Sequence, residues 1–185
     1  MNAIDPREIR EQAVLLYGPE EIHQALDRMA AAIEAELAGT LPVVLCILTG
    51  GIIPTGHLLT RLTIPLEIDY LHASRYRGRT TGGAQVDWVC KSQIPLQGRT
   101  VLVIDDILDE GNTLEAVYDY CRHAGATRVY SAVLIEKRHE RRLPDIAADF
   151  TGLQVDDRYV FGFGMDYHGY MRNLNGIYAL GGEHE

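Results

Sequence analysis

Three short, nearly unbroken apolar runs constrain the fold of this chain more than anything else in it. Pro42 to Leu48 (PVVLCIL), Thr100 to Ile104 (TVLVI) and Val129 to Ile135 (VYSAVLI) are each too short for a helix of that hydrophobicity, and the last two are rich in β-branched residues. Such runs are strands covered on both faces. Between them the apolar spacing changes to threes and fours. Ile53 to Leu62 reads as a short helix, with Pro54 tolerated in its first turn, and Thr113 to Ala124 as a longer one closed by Gly125. Leu66 to Leu71 is a further strand, and Glu20 to Leu37 a helix with Ile22, Leu26, Met29, Ile33 and Leu37 on one face. Strand, helix, strand, helix through residues 42–135 predicts an α/β fold: an open, mostly parallel sheet flanked by helices. Beyond Leu143 the helical pattern stops. The aromatic and glycine-rich stretch ADFTGLQVDDRYVFGFGMDY predicts a small C-terminal β-rich hood over one edge. The 185 residues make one domain, 1–185.

Ligands of such sheets bind outside the carboxyl ends of the strands, which directs attention to VLVIDDILDEGNTL, residues Val101 to Leu114. Four carboxylates, Asp105, Asp106, Asp109 and Glu110, fall within six positions as the strand gives way to a helix. Exposed amides at the helix start, the permissive Gly111 and the Thr113 hydroxyl make an anion cradle. It is not a Walker loop, because no Gly-Lys-Ser/Thr follows. Carboxylates beside an anion make sense if the ligand also offers a ribose diol or carries a divalent cation, which Asp105 and Asp106 would hold.

The net charge of -9 repels phosphate backbones and anionic lipid, so no nucleic acid and no membrane partner is expected. Three scattered cysteines, the lack of a signal peptide and the lack of a long apolar run predict a cytoplasmic protein with buried thiols.

The whole string from Val101 to Thr113 resembles the phosphoribosyl pyrophosphate signature of the type I phosphoribosyltransferases, and its details resemble most the hypoxanthine-guanine phosphoribosyltransferases. The resemblance runs from about Pro42 to the C-terminus. It implies transfer of a phosphoribosyl group from phosphoribosyl pyrophosphate to a purine base with Mg²⁺ as cofactor, in a homodimer or homotetramer. Asp109 would be the general base, and Asp105, Asp106, Ile107, Asp109, Glu110, Gly111, Asn112 and Thr113 would hold the phosphoribosyl group. LTGG, Leu48 to Gly51, resembles the family's pyrophosphate loop, often built on a non-proline cis peptide. Thr49, Gly50 and Arg172 would meet the pyrophosphate, with Thr49 where many relatives carry Lys. Ala73 to Gly83 resembles a mobile lid, with Arg75 between Ser74 and Tyr76 where the family commonly shows Ser-Tyr. Lys137 would reach the six-oxo group of the purine; Arg158, Tyr159 and Val160 would form the base pocket; Asp166 would join Asp105 and Asp106 at the metal. Two competing readings are a xanthine-preferring relative and an RNA-binding regulator of the same fold.

Overall fold

The computed structural model describes residues 6–75 and 86–181. Among the described residues are helices α1 (Pro6–Gln12), α2 (Pro19–Leu37), α3 (Ile52–Leu59) and α4 (Asn112–His123) and nine strands: β1 (Ala13–Tyr17), β2 (Val43–Leu48), β3 (Glu67–Arg75), β4 (Val86–Cys90), β5 (Thr100–Leu108), β6 (Arg128–Arg138), β7 (Phe150–Asp156), β8 (Val160–Phe161) and β9 (Ile177–Leu180). Six of them form the main sheet in the order β4-β3-β2-β5-β6-β7, parallel except for the β3–β4 pair.

The crossovers leave the two middle strands in opposite directions. β2 passes through α3 to β3, and β5 passes through α4 to β6. Crossovers of this kind are right-handed as a rule, which puts the two helices on opposite faces. The packing agrees: Leu58 of α3 and the buried stripe of α2 join Val44, Leu102 and Ile104 in one core, while Val117 and Cys121 of α4 join Val43, Leu45, Val101 and Val103 in the other. Neighbouring strand residues serve opposite cores because side chains alternate along a strand. This double burial is why the runs are unbroken in sequence.

The divergence opens a crevice between β2 and β5. Their ladder ends at Cys46↔Ile104, whereas β5 stays paired with β6 as far as Leu108↔Glu136. The strand expected to end at Ile104 therefore continues to Leu108. Asp105 and Asp106 lie within it, at the point where it has lost one neighbour.

Two other expectations change. Ala73, Ser74 and Arg75, read from their polar surroundings as loop, are the end of β3, because β4 supplies a partner that the sequence did not announce. Tyr76 and residues 77–83 of the expected lid lie outside the described residues. The hood is not wholly C-terminal: its order is β1-β9-β8, so one strand comes from the N-terminus, and Tyr17 of β1 donates its hydroxyl to the Gln154 carbonyl of β7 at 2.6 Å. Among the described residues no helix is long and apolar enough to cross a membrane.

Candidate active site

Four chain segments meet at the carboxyl ends of β2 and β5, around a cleft of about 500 Å³. The first is the turn after β2. The Leu48–Thr49 peptide is cis, and the chain then passes so close to β5 that a Cβ on Gly50 would lie 1.9 Å from Asp106 Oδ2. Only glycine allows this approach. The turn is closed by the Gly51 amide, which donates to the Ile47 carbonyl at 2.9 Å.

The second segment is β5 and its loop. Gly111 has φ +97°, with Ile146 packed on the side where a Cβ would project, and as the N-cap of α4 it offers no side-chain cap to the first-turn amides. Gly111, Asn112 and Thr113 line a small hollow that opens beside the cleft and shares Asp105, Ile107 and Asp109 with it. Free amides of this kind favour an anion. Glu110 is engaged elsewhere. Its carboxylate accepts from Asn112 Nδ2 at 3.0 Å, and its carbonyl accepts from the Leu143 amide.

The third segment is the end of β6. Lys137 Nζ donates to Asp109 Oδ2 at 3.0 Å, and His139 Nε2 lies 2.7 Å from Asp109 Oδ1. Burial pushes the Asp109 carboxyl up, but the Lys137 hydrogen bond and charge, with His139, outweigh it and hold the group below its ordinary range. Arg142 reaches back to the Glu136 carboxylate and the Lys137 carbonyl, which fixes the strand end.

The fourth segment is the hood, from Tyr159 to Arg172. Arg172 is its hub. It donates to the Gly164 carbonyl at 2.6 Å, pairs with Asp166 Oδ1 at 2.7 Å, and stands 3.8 Å from Asp106 Oδ2. Gly164 has φ +109°, and a Cβ there would meet the Gly50 carbonyl at 2.3 Å, so the hood is seated directly on the β2 turn. Burial pushes the Asp106 carboxyl above its ordinary range, opposed by its hydrogen bond with Asp105 and by Arg172. Tyr159 is half exposed and donates its hydroxyl to the Asp166 carbonyl at 3.0 Å, which leaves a ring face on the cleft.

The cleft thus gathers Thr49, Gly50, Asp105, Asp106, Ile107, Asp109, Thr113, Lys137, Tyr159, Val160, Asp166 and Arg172. Arg158 is not among them. It lies on a separate hollow with Leu16, Tyr17, Arg138 and Gln154, because the sharp turn from β7 into β8 sends it to the other side of Tyr159. For Ser74 and Arg75 the backbone alone is described, at the end of β3, just past the cleft-lining His72 and Ala73. Sequence reasoning missed His72, Met165 and His139. His139 had a signal, since it stands two residues beyond Lys137, on the same side of an extended chain.

Among the described residues, four carboxylates of the cleft face two full cations, Lys137 and Arg172, and both are already paired. An all-oxygen donor set of this charge suits a hard divalent cation such as Mg²⁺. Among the described residues a tighter cluster exists, Asp109, His139 and Asp157, with ligand atoms within 4.8 Å of one another. Its carboxylates are held by Lys137 and Arg141, so its charge is met from within the protein.

Residues 18–168 match the family model described as phosphoribosyl transferase domain. A hypoxanthine-guanine phosphoribosyltransferase of Streptococcus agalactiae is 33% identical over 160 residues, 86% of this chain and 88% of that protein. A hypoxanthine-guanine-xanthine phosphoribosyltransferase of Tritrichomonas foetus is 31% identical over 161 residues, 86% and 87% of the two chains. A solved hypoxanthine phosphoribosyltransferase of Staphylococcus aureus superposes with a TM-score of 0.87 at 27% identity, covering 94% of each chain.

Proposed function

Because this chain belongs to the phosphoribosyltransferase family, we propose that it salvages purines by joining hypoxanthine or guanine to the ribose of phosphoribosyl pyrophosphate, releasing pyrophosphate. One observation carries the reading: Asp109, Lys137 and Tyr159 line the same cleft as the Gly50 turn and the Thr113 cradle, so a base, a sugar phosphate and a diphosphate each have a place within it. The 5-phosphate rests on the first-turn amides of α4 and the Thr113 hydroxyl. The diphosphate lies between the Thr49–Gly50 turn and Arg172. Asp105 and Asp106 accept from the ribose hydroxyls. Tyr159 stacks on the purine, the Val160 backbone reads its edge, and the Lys137 ammonium donates to the six-oxo group.

Bond formation at the anomeric carbon passes through a state resembling an oxocarbenium ion. Asp109 takes the proton from the purine's imidazole ring as the other ring nitrogen attacks. Mg²⁺, held by Asp105, Asp106 and Asp166, supplies charge neutralisation for the leaving diphosphate when bound. The oxygen donors and the excess of negative charge in the cleft support that assignment. Ser74, Arg75 and Tyr76 belong to the lid of this reading. The chain works in the cytoplasm as a homodimer or homotetramer, which the solvent-facing Ile52, Ile68 and Tyr70 around an apolar groove beside α3 support. The likeness to the T. foetus enzyme favours xanthine as an additional substrate.

The test is Asp109→Asn with hypoxanthine as acceptor. The expected result is a kcat lower by ~10² or more with affinity for phosphoribosyl pyrophosphate nearly unchanged, as for loss of a general base. A variant that keeps half of wild-type turnover removes Asp109 from the mechanism.

A further inference from the structure

The two oxygens of Asp109 have partners of different kinds. Oδ2 is held by Lys137, a cation on a long flexible stem. Oδ1 is held by His139, a ring that is 5% exposed and fixed from behind. His139 Nδ1 accepts the Arg141 backbone N–H at 3.1 Å, so the ring proton stands on Nε2 and is donated to Asp109. Arg141 is itself tied down by Asp157 at 2.8 Å. If Lys137 leaves for the six-oxo group of a purine, His139 is the partner of Asp109 that has no reason to move.

We propose that His139 is the positioning residue of the general base: it keeps Oδ1 of Asp109 throughout the reaction, so that Oδ2 is the oxygen that exchanges the Lys137 ammonium for the N–H of the purine ring. The inference rests on the function proposed above. In the step itself one imidazole nitrogen forms the bond to the anomeric carbon, the bond from that carbon to pyrophosphate breaks with its electron pair going to the leaving oxygen, and the proton on the other ring nitrogen passes to Oδ2. A carboxylate tethered by one oxygen presents the other in a fixed direction. An untethered one rotates, and misplacements of about 1 Å cost ~10²-fold in rate.

Among the described residues, the charged and titratable groups against Asp109 are Lys137 at the end of β6, His139 just beyond it and Asp157 after β7, with Asp105 of β5 lining the same cleft. Loss of the His139 donor therefore removes support from the ionised carboxylate, and its pKa moves up.

His139→Ala and His139→Gln decide the matter in a hypoxanthine assay run from acid to neutral pH. The Ala variant is expected to lose kcat by ~10- to 100-fold with KM for phosphoribosyl pyrophosphate within about twofold of wild type, and the acid limb of its kcat profile to move to higher pH. Gln offers an N–H where Nε2 stands and is expected to restore kcat to within about fivefold. An Ala variant within twofold of wild type, or a loss of kcat without movement of the acid limb and without rescue by Gln, overturns the role. A readout independent of turnover is the nitrogen spectrum of His139 in the wild type, alone and saturated with inosine monophosphate. The Nε2–H tautomer in both states supports the proposal, and a switch of tautomer on binding overturns it, even if the Ala variant does not fold. A wild type that forms no nucleotide from any six-oxopurine overturns the proposed function and this inference together, whereas an active wild type with an unaffected Ala variant overturns this inference alone.

Discussion

Replacing Gly50 by alanine tests the contact on which the whole site is assembled. The added Cβ would stand 1.9 Å from Asp106 Oδ2 and 2.3 Å from Asp106 Cγ. Comfortable contact begins near about 3.5 Å, so the carboxylate must retreat by roughly 1.6 Å. It has little room, being buried against Asp105 and 3.8 Å from Arg172. Overpacking of this kind costs about 1 to 3 kcal/mol. For a chain of this size that is a fall in Tm of roughly 2–12 °C, at about 2–4 °C for each kcal/mol. The cause is testable in a double-mutant cycle by urea denaturation. In an Asp106→Ala background the three atoms nearest the added Cβ are gone, and Gly50→Ala should cost clearly less, by about 1 kcal/mol or more. Gly51→Ala provides the contrast. Its Cβ would meet the backbone oxygens of Ile47 at 2.6 Å and Ile104 at 2.8 Å, which Asp106→Ala does not move. Its cost should therefore be the same in both backgrounds. If Gly50→Ala costs the same with and without the Asp106 carboxylate, the close approach of the β2 turn to β5 is not what the glycine serves.

Lys137→Met keeps the stem and removes the charge; kcat/KM for hypoxanthine should fall by about 10- to 150-fold and the gap to adenine should narrow, with an unmoved ratio counting against the base-reading role. Asp106→Asn should raise Tm at pH 7 while lowering turnover. Burial raises the folded pKa of Asp106, so its penalty is absent below the unfolded carboxylate value of about 3.9, grows as pH climbs from there to the folded value, and stays constant above it. The advantage of the Asn variant should accordingly vanish near pH 3, and a lower Tm than wild type at pH 7 would contradict it.

Double burial made the middle of the sheet legible. Val43 to Leu48 and Val101 to Ile104 are apolar at every position because helices cover both faces, and the register of threes and fours in α2 needed no tertiary help. The edges were not legible. β4 is five residues, VDWVC, whose alternation is short and whose partner is the polar end of β3, so neither strand signals the other. β1 is held by β9, more than 160 positions away, and no local pattern encodes such a pairing. Within the site, residues carried by the acidic string were readable because backbone and side chains there form one compact motif. Arg158, expected beside Tyr159 and Val160, lines a different hollow because a turn decides which side of the chain it occupies, and one residue of register reverses that. His139 was overlooked because its place two residues beyond Lys137 gains its meaning when Asp109, thirty positions away, is brought against it.

The most direct measurement of the central claim is a panel of hypoxanthine, guanine and adenine with wild-type protein, phosphoribosyl pyrophosphate and Mg²⁺, in which nucleotide and pyrophosphate are both quantified. The account predicts equal amounts of the two products with hypoxanthine and with guanine, and kcat/KM for adenine lower by at least about 10²-fold, since the Lys137 donor would face a donor on adenine. Nucleotide formation from adenine as fast as from hypoxanthine, or none from either six-oxopurine, would contradict it.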